Sequence, residues 1–196
     1  MPAFKEIYEK VMRNLENWVP HHFTYHDAAH TRYVLEQAEV IAGHENVTGR
    51  DLLLVKIAAL YHDIGFIEGR HDHEALSCKV ASDDLKNSLL TGAEVKKVCG
   101  MINATQIPQE PKDLLEKIVA DADLEYLGTN NFEKFGRRLY KEMRHFDSTL
   151  NPRKWDEIQI DFLTKHTYHT NYCKQYREPV KQLNLEMVKE RLMTLK

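Results

Sequence analysis

Leu52-Leu53-Leu54-Val55-Lys56-Ile57-Ala58-Ala59-Leu60-Tyr61-His62-Asp63-Ile64-Gly65-Phe66 carries only two charged side chains, Lys56 and Asp63. The spacing predicts a helix that is apolar nearly all round and runs through the middle of a domain. It ends in an adjacent His62-Asp63 pair, and a histidine and an aspartate are costly in such surroundings unless paired or bound to metal. Thr48 and Asp51, three apart, are expected to cap its start, and Gly65 to cap its end.

Working outward, Phe4, Ile7, Tyr8, Val11, Leu15 and Trp18 recur at three and four residues, a first amphipathic helix closed by Pro20. The His-dense connector His21 to Thr31 leads into a helix through Ile41, on which His30 shares the inward face of Val34, Ala38 and Ile41. After the central helix, His73 and Glu74 stand at the first turn of a helix carrying Leu76, Val80, Leu85 and Leu89. Backbone N–H groups and the helix dipole favour anions at such a turn. Thr91 and Glu94 form a capping-box signal for the next helix, which ends before Pro108, and Pro111 is expected to open the one after it. Phe132, Phe135, Leu139, Met143 and Phe146 predict a further helix whose outer face, with Lys134, Arg137, Arg138 and Lys141, reads as solvated. Asn151-Pro152 starts another, and Leu183, Leu185, Val188 and Leu192 mark a terminal one, with the polar, aromatic Lys165 to His169 between them. No alternating strand pattern or repeat occurs, so the expected class is all-α.

With 196 residues the chain is long enough for one sizeable domain: residues 1–196, with a core over about 20–165 and C-terminal helices 166–196 packing on it. A net charge of −3 gives no reason to expect a nucleic acid or an anionic membrane as partner, and no apolar run approaches the ~20 residues that span a bilayer. Three scattered cysteines form neither a disulfide framework nor a thiolate zinc site, which suits a reduced, cytoplasmic setting.

Carboxylates intrude into an apolar pattern a second time at Asp121-Ala122-Asp123. Residues two apart on a helix point in nearly opposite directions, so both aspartates do not readily serve one metal. Asp123, four after Val119 and three before Tyr126, is the favoured inward group; Asp121 stands behind the ligands or faces solvent. His30, His62, Asp63 and Asp123 thus form a candidate set of imidazoles and carboxylates suited to a divalent Mn, Fe, Co, Ni, Zn or Mg ion. Three helices can bring such groups to one point and leave positions open for substrate.

The series Tyr25-His26-Asp27-Ala28-Ala29-His30-Thr31, then Ala58 to Phe66 with its His-Asp pair, His73-Glu74, and Asp121-Ala122-Asp123-Leu124-Glu125-Tyr126-Leu127-Gly128 resembles the HD superfamily of metal-dependent phosphohydrolases. The likeness extends over roughly residues 20 to 165 and is nearest to small bacterial-type members, whose domains also occur fused to nucleotide cyclases. It implies an HD-domain helical bundle and His30, His62, Asp63 and Asp123 as metal ligands. It also implies a small-molecule phosphoester as substrate, that of a nucleotide or another phosphorylated metabolite, hydrolysed by water that the cation activates. Asp63 would also orient that water, His73, Glu74 or Asp121 would handle protons, and Arg70 and Lys79 would offset phosphate charge. Binuclear members carry further histidines before the final aspartate; here His71 and His73 are the only ones between Asp63 and Asp123, so one metal is expected. The alternative is a ligand-sensing or interaction module that keeps a structural metal. Tyr61, Phe66, Asn103, Gln106 and Tyr168 are the candidates for contacts to a base.

Overall fold

The apolar run folds as expected, into a helix whose Leu54, Val55, Ile57, Ala58, Ala59, Leu60 and Tyr61 are all buried. In the computed structural model, which describes residues 4–86, 88 and 90–194, the order is α1 (Phe4–Trp18), α2 (Ala28–His44), α3 (Gly49–Tyr61), α4 (His73–Leu85), α5 (Gly92–Asn103), α6 (Leu114–Leu124), α7 (Phe132–Phe146), α8 (Pro152–Lys165), α9 (Asn171–Tyr176) and α10 (Glu178–Thr194). Two 3-10 turns, Ile64–Ile67 and Glu125–Gly128, follow α3 and α6. No strand occurs among the described residues. Leu89, expected on α4, lies outside the described residues, and α4 itself ends at Leu85.

α3 is the axis because α1, α2, α4, α5 and α6 all pack against it. Each fully buried leucine or isoleucine on it stabilises the fold by about 1.5–3 kcal/mol relative to exposure. A second apolar cluster, with Tyr126, Leu127, Phe132, Phe135, Leu163 and Val188, joins the turn after α6 to α7, α8 and α10. α10 packs on α8 and on that turn, and α9 on α2.

Capping explains most boundaries. Asp27 accepts from the backbone N–H groups of Ala29 and His30 and so starts α2. The Thr91–Glu94 box forms in full at α5, and Asn151 caps α8 through Lys154. Four local expectations change. Thr48 precedes α3 without a side-chain capping bond. The helix after Pro111 begins at Leu114, because the carboxylate of Asp113 accepts from Glu116 N–H and sets the start there. Gly65 is not a helix cap but a point of close approach: a Cβ there would overlap the carbonyl oxygen of His73, and its N–H donates to Ser77 Oγ at 2.8 Å. Arg138 is not on a solvated face; its guanidinium bridges Thr24 O (2.8 Å) and Asp27 Oδ2 (2.6 Å) and ties α7 to the start of α2. Trp18 and Leu183, counted with apolar stripes, are 68% and 70% exposed. No helix among the described residues is long and apolar enough to cross a membrane.

Candidate metal centre

α2, the end of α3 and the end of α6 place one ligand-type group after another at a common point. Asp27 fixes the first turn of α2, and with it His30, which is wholly buried. His62 follows the last residue of α3 and Asp63 precedes the 3-10 turn, where Gly65 lets the start of α4 approach. The Nε2 atoms of His30 and His62 lie 3.4 Å apart. Asp123 Oδ1 stands 3.1 Å from the first and 3.5 Å from the second, and Asp63 Oδ2 3.4 Å and 3.1 Å. His30, His62 and Asp123 offer ligand atoms within 4.8 Å of one another.

The hydrogen bonding of this cluster fits a cation. His62 Nδ1 faces the carbonyl oxygen of Ala59 at 2.9 Å, which can only accept, so Nδ1 carries a proton and Nε2 is the atom turned toward the cluster, able to give up its own proton to a cation. Asp63 Oδ2 is buried without a hydrogen-bond donor. Burial alone would lower the pKa of His62, but Asp63 and Asp123 outweigh it and raise it well above its usual value. Burial would raise Asp63 and Asp123, yet the facing imidazoles hold both carboxyls below the usual range. Two oxygens and two nitrogens so arranged call for positive charge, supplied by a proton in the free protein and better supplied by a divalent ion.

The other expected residues divide. His73 Nε2 lies 3.6 Å from Asp63 Oδ1 and 3.4 Å from Glu74 Oε1, and both residues border a cavity of about 300 Å³ that opens onto Asp63 and Asp123. Asp121 turns away and is fully buried. It accepts from Thr170 Oγ1 (2.6 Å) and from the N–H groups of Thr170 and His169, so it neither faces solvent nor touches the cluster. Arg70 lies over the Phe146 ring and Lys79 is exposed; neither lines the cavity. None of the five residues considered for a base lines it either. Tyr61 bonds to Asp84, Phe66 stacks on His26, and Tyr168 donates to the carbonyls of Leu124 and Glu125.

One pair escaped the sequence reading. Glu142 on α7 accepts from the N–H groups of Tyr25 and His26 and lies 2.5 Å from His26 Nδ1. The signal was present: Glu142 is seven after Phe135 and three after Leu139, on the apolar stripe, where a carboxylate needs a partner. His26 also lines the cavity, its ring 4.1 Å from that of Phe66.

Residues 27–125 match the model of the HD domain family. No curated protein matches the chain. Among solved structures, a predicted HD superfamily hydrolase from an uncultured Thermotogales bacterium is similar over 100% of this chain and 94% of its own, with a TM-score of 0.65 and 22% identity.

Proposed function

The chain belongs to the HD domain family, and on that premise we propose that it is a metal-dependent phosphohydrolase that cleaves a small-molecule phosphoester. The observation that carries this reading is the convergence of His30, His62, Asp63 and Asp123 beside a cavity large enough for a small molecule. These four residues would hold one divalent cation. Bound there, the cation would lower the pKa of a water and offset charge on the phosphoryl oxygens.

The chain's own groups do the rest. The buried walls around His30 and His62 keep bulk water from the cluster. Asp63 presents Oδ2 to the imidazoles and Oδ1 toward His73, and in this reading it would orient the attacking water. His73, between Asp63 and Glu74, would pass a proton to the departing ester oxygen, and Glu74 would hold that imidazole in place. The test is metal content by mass spectrometry together with phosphate release, on the wild type and on His62→Ala and Asp63→Ala. About one metal per chain, lost in both variants along with activity, is the expected result. Wild type that binds no metal and stays inactive after Mn, Fe, Co, Ni, Zn or Mg is added back would overturn the reading.

A further inference from the structure

The cavity beside the cluster has two unlike walls. One part holds Asp63, Glu74 and Asp123 with His26 and His73. Most of the remainder comes from the turn after α6, α7 and α8, including Leu139, Met143, Trp155, Ile158, Phe162 and Leu163, with Tyr25, Thr105, Ile107 and Leu124 completing it. No lysine or arginine lines it among the described residues. Two of its polar side chains are already engaged: Thr105 Oγ1 donates to Ile102 O, and Gln159 Oε1 accepts from Arg191.

Such a lining discriminates among phosphoesters. A nucleotide would bring a base and ribose with many polar groups, against which the wall offers the Tyr25 and Tyr126 hydroxyls, the Trp155 indole N–H and the Gln159 amide N–H and no charged group, and each group left unpaired costs free energy on burial. A polyphosphate would bring several negative charges to a cavity that already holds three carboxylates. A single divalent cation offsets only part of these, and no basic side chain offsets the rest. An apolar group loses nothing there and gains by leaving water. Water held against the apolar part of this wall is released when an apolar group replaces it.

Resting on the hydrolase reading, we propose that the substrate is a phosphate monoester whose alcohol is a hydrocarbon chain or ring, with the phosphate at the cluster and the hydrocarbon between α7 and α8. In the reaction the water oxygen forms the new bond to phosphorus and the bond from phosphorus to the ester oxygen breaks. The alcohol leaves with a proton that comes from the attacking water, so the products are inorganic phosphate and a hydrocarbon alcohol.

The chain supplies its own probe. Of its two tryptophans, Trp18 is 68% exposed and Trp155 is 8% exposed in the cavity wall, so the emission of a Trp18→Phe variant reports on the cavity. That variant is titrated with n-alkyl phosphates from butyl to decyl, and with adenosine monophosphate, inorganic phosphate and decyl maltoside, all below their micellar concentrations. Hydrolysis of the same phosphates is followed in parallel with metal present. The expected result is affinity that tightens about three- to fourfold per methylene until the cavity is full, with adenosine monophosphate and inorganic phosphate leaving Trp155 unchanged. Ile158→Gln, at a position already 40% exposed, should weaken decyl phosphate at least about threefold. Adenosine monophosphate binding as tightly as decyl phosphate, no dependence on chain length, or decyl maltoside binding equally well would each overturn the proposal. Chain-length-dependent binding without turnover would leave the hydrocarbon site standing and remove the hydrolase reading. Turnover indifferent to chain length would do the reverse.

Discussion

Asp121 and Asp123 stand two residues apart on α6, and their surroundings give them opposite tasks. Asp123 faces two imidazoles; Asp121 faces the Thr170 hydroxyl and two backbone N–H groups at the start of α9. Asp121→Ala leaves those donors unpaired in the interior, and the expected cost is about 3 kcal/mol or more of stability with the metal stoichiometry retained. Asp123→Ala should lose the metal with a smaller effect on the metal-free protein. Denaturant melts and metal analysis of both variants check the contrast. Gly65→Ala should cost more than about 2 kcal/mol, because the added methyl meets the carbonyl of His73 and α4 must shift; a urea melt reads it directly. The clustered groups were legible in the sequence: His30 and Asp123 from helical spacing, His62 and Asp63 as a polar pair ending a helix that is otherwise nearly all apolar. The role of Asp121 was not, because its partners lie 48 and 49 residues away in a segment without periodicity.

The elements meet through side chains whose meaning is set by their neighbours. α7 grips the connector before α2 with Glu142 on Tyr25 and His26 and with Arg138 on Thr24 and Asp27. Burial pushes the Glu142 carboxyl up, but His26 more than offsets this and holds it below its usual 4.5. Burial pushes His26 down, and Glu142 with Asp63 raises it above its usual 6.5. In the metal-free protein the contribution of Glu142 is therefore present above pH 4.5 and lost as pH falls through its lowered value. That of His26 is present below pH 6.5 and lost as pH rises through its raised value. Glu142→Gln should accordingly destabilise most between pH 4.5 and 6.5, by about 1–3 kcal/mol, and less on either side. Thermal melts across pH with and without the substitution measure it. Helix number and order up to α8 followed from periodicity and caps, as at Thr91 and Asn151. α9, six residues long, is too short to leave a periodic signature, and the partner of Arg138 lies 111 residues away, so its side chain read as one more surface cation.

At the scale of the whole molecule, the ligand-type residues come from α2, the end of α3 and the end of α6, segments that are assembled only when the chain is folded. A bound cation therefore stabilises the folded state by mass action. At a free concentration about a hundredfold above its Kd, the expected gain is about 2.7 kcal/mol, or roughly 5–10 °C in Tm for a chain of this size. Calorimetry with and without metal should show it in the wild type and not in His62→Ala. The stretch that matches the family, residues 27–125, contains all four of those residues together with His73 and Glu74, whereas α7 and α8 lie entirely beyond it. On the proposed reading, the chemistry and most of the wall that would choose the alcohol are thus written on separate stretches of the chain and can be inherited separately. If that reading holds, a lineage that rewrites residues 132–165 would trade one hydrocarbon for another while the metal-type cluster passed unchanged from ancestor to descendant.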